Sequence, residues 1–438
     1  MHSRARQRNP RLLLVTRALD VGGTERHLAQ IAPGLARRGF DVSLYCLAKE
    51  GAQVAEVGAS GIRVVGARPG AGLLPRLGSA ATLAAGALGL IPEMLLQRPD
   101  IAHFFLPHAF LAGSVAAALT QVPVRIMSRR CQNLYQLKHP VLARLERRLH
   151  GTMTAILGNS QRIVDELIGE EGVPASRTGL IYNGSDLARF QSPVDRVKVR
   201  AKLGIDPTTT VIACLANLMS YKGHAELLVA LAAIKDRLPK HWKLLAIGRD
   251  GGTLADLKAQ TSALGLEENV LWLGLRRDVA DLLRASDIGV LASHEEGFSN
   301  AIIESMASGL PMVVTNAGGN AEAVPHGICG LVTPAHDPGA LAQAIARLAL
   351  DPSLAARMGA ASRRHAGQNF SLEACLDKYE ATYRALLAGK NLPVGVAAAW
   401  PNSPRPSGRP VAALAGGSFA TPPRPSREAT AATFAQPS

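Results

Sequence analysis

Two glutamates eight positions apart, Glu296 and Glu304, lie in the stretch SHEEGFSNAIIESMASGLPMVVTNAGGNAEAV, residues 293–324. If a helix begins near Asn300, Glu304 falls one turn inside it and Glu296 stays in the loop before it. The backbone N–H groups of Phe298, Ser299 and Asn300 then point at whatever stands in front of that helix. A carboxylate accepts hydrogen bonds from vicinal hydroxyls, and a cluster of free N–H groups favours an anion. The pattern therefore suits a ligand with both hydroxyls and phosphate, such as a sugar nucleotide.

Three more segments carry compatible chemistry. LANLMSYKGHAELL (215–228) leaves an apolar run and enters a helical pattern, with Lys222 able to set an ammonium against a phosphate beside the small Gly223. TRALDVGGT (16–24) brings Gly22 and Gly23 just ahead of a helix, where the backbone can approach a ligand and free N–H groups face it. LAIGRDGG (245–252) repeats the passage from strand to glycine and brings Arg249 to the same rim. No GxGxxG occurs, which argues against a nicotinamide or flavin dinucleotide.

The elements that must position these groups read as two alternating series. Apolar runs at 12–16, 42–47, 62–65, 101–106, 124–128, 155–159 and 179–182 read as strands, with helical patterns between them such as 25–38 and 141–150. Pro33-Gly34 is expected to kink or interrupt the first helix. Residues 184–205 are polar and break the pattern. Strand-like runs resume at 211–216, 244–247, 270–273, 288–291 and 312–315, and a helix over about 372–387 closes the folded part. Buried strands alternating with helices predict parallel sheets covered on both faces. The expected organisation is a basic extension (1–10), an N-terminal doubly wound domain (11–190), a linker (191–207), a second doubly wound domain (208–371), a closing helix (372–390) and a disordered Pro/Ala-rich tail (391–438).

Composition limits the partners. The net charge of +14 is concentrated in three places. Four arginines and no acid lie in 1–11, seven Lys/Arg against Glu146 in 125–150, and four arginines against Glu428 in 391–438. Such charge favours anionic partners, and no groove-reading motif accompanies it, so nucleic acid is not expected. Five scattered cysteines without a CxxC pair read as reduced thiols in a cytoplasm. No signal peptide is visible. The charge-free run 77–92 is too short for a membrane span, and 101–124 is divided by His103, Pro107, His108, Gln121 and Pro123.

Taken together, Glu296–Glu304 with SMASGLPMVVTNAGGNAE, GGTERHLAQIAPGLARRG (22–39), LGNSQRIVDEL (157–167), IYNGSDLARF (181–190), NLMSYKG (217–223) and LGLRRDVADLLRASDIGVLAS (273–293) resemble the retaining glycosyltransferases of family 4. The resemblance covers about 11–387. It implies an α/β, GT-B fold: two Rossmann-like doubly wound domains facing a central cleft. It also implies transfer of a sugar from a nucleotide diphosphate with retained anomeric configuration and no obligatory metal. The absence of any Asp-x-Asp agrees with that last point. By resemblance Glu304 holds the ribose hydroxyls and Glu296 contacts the donor sugar, with Phe298, Ser299 and Asn300 supplying backbone donors. Lys222 and Gly23 meet the diphosphate. Asn217 departs from the pattern, standing where many members have an arginine, and Arg249 is the nearest candidate to compensate. For the histidine near the reacting sugar, His103 sits within a strand pattern and His108 on the loop beyond it is the better candidate.

The expected function is that of a retaining, metal-independent glycosyltransferase. It would use a nucleotide-sugar donor, a glycan or lipid-linked acceptor and no other cofactor, in polysaccharide, lipopolysaccharide or glycolipid synthesis. The basic segment 125–150 suggests peripheral contact with an anionic membrane at its cytoplasmic face. A GT-B sugar-nucleotide epimerase and an inactive sugar-nucleotide-binding scaffold are the alternatives.

Overall fold

A computed structural model of the chain describes residues 8–20, 22–48, 51–66, 78–133, 136, 139–393 and 395–396, the side chains of 78–83 excepted. Most of the basic extension, the segment 67–77 and nearly all of the expected tail lie outside the described residues.

Among the described residues, thirteen short strands build two wholly parallel sheets. The first contains β1 (Arg11–Thr16), β2 (Asp41–Cys46), β3 (Arg63–Gly66), β4 (Ile101–Phe105), β5 (Val124–Arg129), β6 (Ala155–Gly158) and β7 (Thr178–Leu180) in the order 3-2-1-4-5-6-7. The second contains β8 (Thr210–Leu215), β9 (Trp242–Ile247), β10 (Val270–Gly274), β11 (Ile288–Leu291), β12 (Met312–Thr315) and β13 (Gly330–Thr333) in the order 10-9-8-11-12-13. Strands such as β1, β4 and β11 are buried nearly throughout, because helices cover both faces. The strand order reverses between β1 and β4 and again between β8 and β11. Crevices beyond the carboxyl ends of strands at such switch points are where open α/β sheets hold ligands.

Several sequence expectations change. The Gly23–Arg37 helix runs unbroken through Pro33. Gly34 lets it pack tightly, since a Cβ there would meet Leu376 Cδ1 at 2.5 Å. Tertiary packing against the Leu372–Leu387 helix thus holds the helix together where proline alone would end it. β13 was not expected, because four residues between glycines leave little pattern to read. The polar stretch 184–205 forms two short helices, Ala188–Gln191 and Arg196–Lys202. Arg200 in the second is buried, pairs with Asp287 at 2.8 Å and donates to the carbonyls of Ala285, Pro207 and Thr209, which ties this stretch to the second sheet.

Leu392 and Val396, in the segment expected to be a tail, pack beside the first core, and Leu180 N–H donates to Val396 C=O at 2.9 Å. β7 is an edge strand, and its free backbone groups take this partner. The closing helix Leu372–Leu387 returns to the first sheet, burying Leu376, Tyr379 and Tyr383 in its core. No described helix is long and apolar enough to cross a membrane; the run 101–124 is β4 followed by the Leu106–Leu119 helix and β5. No disulfide joins the five cysteines, all of which lie among the described residues.

Candidate functional site

The loops at the carboxyl ends of both sheets face one another across a cavity of about 920 Å³. Ten of the residues singled out in the sequence line it: Gly22, Gly23, His108, Asn217, Lys222, Glu296, Phe298, Ser299, Asn300 and Glu304. They arrive from the β1, β4, β8 and β11 loops, the four strands that flank the two switch points.

Glu296 and Lys222, 74 positions apart, form an ion pair of 2.6 Å. Burial works against the Lys222 ammonium, but the Glu296 carboxylate outweighs it and raises the lysine pKa, so the cation persists at neutral pH. Ser293 Oγ donates to the same Glu296 oxygen at 2.9 Å. Two glycines make this geometry possible. Gly223 ends the turn after Lys222 at φ +70°, where a Cβ would stand 1.9 Å from Ala292 C=O. Gly318, at φ +51°, lies so close to Glu296 that a Cβ would meet its carbonyl oxygen at 1.8 Å.

Glu304 sits in the first turns of the Asn300–Ala307 helix, 2% exposed, with Oε1 held by Arg26 at 2.9 Å. Its Oε2 has no hydrogen-bond partner among the described residues. Burial, opposed by Arg26, raises the Glu304 pKa above the ordinary carboxylate value. A buried acceptor without a donor is costly, and ligand hydroxyls would satisfy it. Ser299 is the N-cap of this helix and its side chain makes no capping bond. The N–H groups of Phe298, Ser299 and Asn300 take no acceptor among the described residues. The N-terminus of the Gly23–Arg37 helix faces the same space, and the Gly22 N-cap likewise has no side-chain cap. Two helix ends thus aim positive dipoles into one cavity.

The two halves are stitched together at the site. Asn300 Nδ2 donates to Gly23 C=O at 3.2 Å. Asn183 donates to Phe298 C=O at 2.9 Å and to Asn300 Oδ1 at 2.7 Å, and accepts from Arg130 at 2.6 Å. On the far side, Glu322 accepts the N–H groups of Gln161 and Arg162 at 2.6 and 2.9 Å, capping the Gln161–Gly169 helix.

Among the cavity residues not singled out in the sequence, three carry much of this geometry. Arg26 could have been found in the GGTER motif one turn past Gly23. Asn183 lies in IYNGSD, with no chemistry of its own to mark it. Arg130 had been counted in a basic surface. Instead Arg129 and Arg130 are 1% and 7% exposed. Arg129 pairs with Glu146 at 2.7 Å and Glu171 at 2.9 Å, while Arg130 follows the carboxyl end of β5 and lines the cavity. Burial lowers the Arg130 pKa, yet guanidinium remains the charged form at any ordinary pH. The surface charge of 125–150 is therefore smaller than the residue count implies. It resides mainly on the Pro140–His150 helix, where Arg144, Arg147 and Arg148 are exposed beside Val141, Leu142 and Leu145.

His103 is a core residue, fully buried between Tyr383 Oη at 2.7 Å and Ser128 Oγ at 2.8 Å. His108 reaches the cavity from the first turn of the Leu106–Leu119 helix, and burial with nearby Arg17 lowers its pKa, favouring neutral imidazole. Leu106, at φ +71°, makes the sharp turn that puts it there. Asn217 lines the cavity while its Oδ1 accepts the Arg249 N–H at 3.1 Å. The Arg249 side chain does not compensate inside the cavity: it lies 3.7 Å from Asp20 and is not among the lining residues.

The chain is similar to known proteins along most of its length. Residues 21–189 match the sequence profile of Glycosyltransferase Family 4, and 195–365 match that of Glycosyl transferases group 1. A D-inositol 3-phosphate glycosyltransferase of Rhodococcus jostii is 29% identical over 393 residues, 85% of this chain and 86% of its own. One from Streptomyces avermitilis is 27% identical over 397 residues, 84% of each chain. The crystal structure of Anabaena Alr3699/HepE in complex with UDP superposes with a TM-score of 0.74 at 25% identity, covering 85% of this chain and 99% of that one. Sucrose-phosphate synthase from Thermosynechococcus elongatus shares the fold, with a TM-score of 0.72 at 20% identity over 87% of this chain and all of its own.

Proposed function

Because the chain belongs to the group 1, family 4 glycosyltransferases and has their GT-B fold, we propose that it moves a sugar from a uridine diphosphate donor to a hydroxyl acceptor with retention of configuration. The observation that carries this reading is the joint lining of one cavity by Glu304, Lys222, Glu296 and two helix N-termini. UDP is the favoured nucleotide because Alr3699/HepE was solved with it.

In this reading Glu304 Oε2 accepts from the ribose hydroxyls, and Glu296 and the N–H groups at 298–300 bind the sugar. The diphosphate lies against Lys222 and the Gly22-Gly23 turn. Its approach draws Lys222 off Glu296, freeing that carboxylate for the sugar hydroxyls. The acceptor oxygen attacks the anomeric carbon on the face from which the diphosphate departs. The C–O bond to phosphate breaks as the new one forms, and the acceptor proton passes to the departing phosphate oxygen. Developing negative charge is met by preorganised donors. Asn217 supplies no charge here, so Lys222 and the two helix ends carry more of it, and no metal is required. Residues 208–371 serve as the donor side and 11–190 as the acceptor side, joined through 191–207.

The acceptor side of the cavity carries Arg130, His108 and His139, which suits an acceptor bearing phosphate. The relatives named for inositol 3-phosphate are compatible with that chemistry. The Pro140–His150 helix, with exposed arginines beside exposed Val141, Leu142 and Leu145, is suited to lie on an anionic membrane surface where glycolipid or polysaccharide acceptors reside.

The test is the anomeric outcome. Incubation with UDP-sugars and phosphorylated or lipid-linked acceptors, read by proton NMR, should give a product with the donor's anomeric configuration. An inverted product would sink the front-face mechanism. A new sugar nucleotide formed without acceptor would instead establish the epimerase.

A further inference from the structure

Outside the cavity, three side chains from separate segments converge with metal-ligand chemistry. His294 follows β11 and stands two residues before Glu296, Glu226 lies in the first turn of the His224–Ile234 helix, and His336 precedes the Pro338–Leu350 helix. One ligand atom from each lies within 4.8 Å of the others. The His294 and His336 rings are 3.9 Å apart at their centroids, and His294 Nε2 is 3.2 Å from Glu226 Oε1. That nitrogen is buried yet makes no well-formed hydrogen bond. His336 is held at φ +60°, a region that non-glycine residues seldom occupy.

We propose that Glu226, His294 and His336 form a binding site for a divalent transition-metal ion of zinc type. Two imidazole nitrogens and one carboxylate are a ligand set that zinc accepts, with the fourth tetrahedral position left to water. Ligand atoms at zinc bond lengths of about 2.1 Å stand about 3.4 Å apart in a tetrahedron. The His294–Glu226 pair, at 3.2 Å, already has the spacing of a loaded site, and rotation of the exposed His336 ring brings in the third ligand. Calcium and magnesium are disfavoured, because they prefer oxygen ligands. None of the three residues lines the large cavity, so the site is distinct from the donor site.

Its position gives the ion a structural consequence. His294 N–H donates to Tyr221 C=O at 2.8 Å, so His294 is already attached to the turn bearing Lys222. A bound ion would tie this turn, the loop carrying Glu296 and the segment before the Pro338–Leu350 helix to one point. The ion acts by restraining the loop and takes no part in group transfer.

The test reads metal binding directly and is independent of sugar transfer. Metal-free full-length protein is titrated calorimetrically with Zn2+, and with Co2+ to record the visible absorption of tetrahedral coordination. Wild-type protein should bind one equivalent at this site, and Zn2+ should slow amide exchange over 293–299. His336→Asn, which suits the positive φ, and Glu226→Gln should each weaken this binding at least ~100-fold, the upper end of what second-shell changes alone cost. Their metal-free melting temperatures should stay at the wild-type value, confirming that the fold is intact. No saturable Zn2+ binding, or binding unchanged in both variants, would overturn the proposal.

Discussion

At the scale of single residues, the site places two ionisable groups in opposite situations. Lys222 keeps its charge because Glu296 lies 2.6 Å away. Glu304 is buried with one oxygen on Arg26 and the other without a donor. The folded chain therefore holds a proton on Glu304 more tightly than the unfolded chain does. The stability linked to that proton is present at low pH and is lost as pH rises through the raised pKa. Above that raised pKa the ionised carboxylate strains the ligand-free fold. Glu304→Gln should accordingly raise ligand-free stability more at pH 8 than near pH 4. The same change should weaken UDP binding about tenfold, because the amide offers one acceptor where the carboxylate offers two. Urea denaturation at both pH values, paired with UDP titration, checks this. A variant equally destabilised at both pH values would contradict it.

At the scale of elements, the loops are set by contacts that cross between the sheets. Glu322 reaches from the second half to cap the Gln161–Gly169 helix of the first, accepting two N–H groups. Charge-assisted bonds of this kind are stronger than neutral ones. Glu322→Ala should expose the amides of Gln161 and Arg162 to faster hydrogen exchange and cost about 1–3 kcal/mol of stability. Unchanged exchange at these amides would mean that the cap does not hold the halves together. Element identity was largely legible, because buried parallel strands write themselves as short apolar runs. β13 was not, since Gly330–Thr333 is brief and begins at a glycine. Pro33 misled for a related reason: a local helix breaker was weighed without the packing of Gly34 on Leu376, more than 300 residues away.

At the scale of the whole molecule, two doubly wound sheets turn their carboxyl ends toward one cavity, and glycines, carboxylates and a lysine arrive there from distant parts of the chain. Glu296, Glu304, Lys222 and Gly23 were legible because each lies where a strand passes through a loop into a helix, a local signature. Arg26, Arg130 and Asn183 were harder to find. Their roles come from contacts across the sheets, such as Arg26 with Glu304 at a separation of 278 residues, which no local pattern records. Charge counting also misassigned Arg129 and Arg130, since it does not register which side of a strand end a guanidinium takes.

Binding of a nucleoside diphosphate sugar in this cavity through Lys222 and Glu304 is read by calorimetric titration with UDP, GDP and ADP. Wild-type protein should bind UDP at one site and prefer it to the other two, and Lys222→Ala and Glu304→Ala should each weaken UDP at least about tenfold, the loss expected for a charge-assisted contact of 1.5–3 kcal/mol. UDP binding of equal strength in wild type and both variants, with their folds intact, would contradict the account.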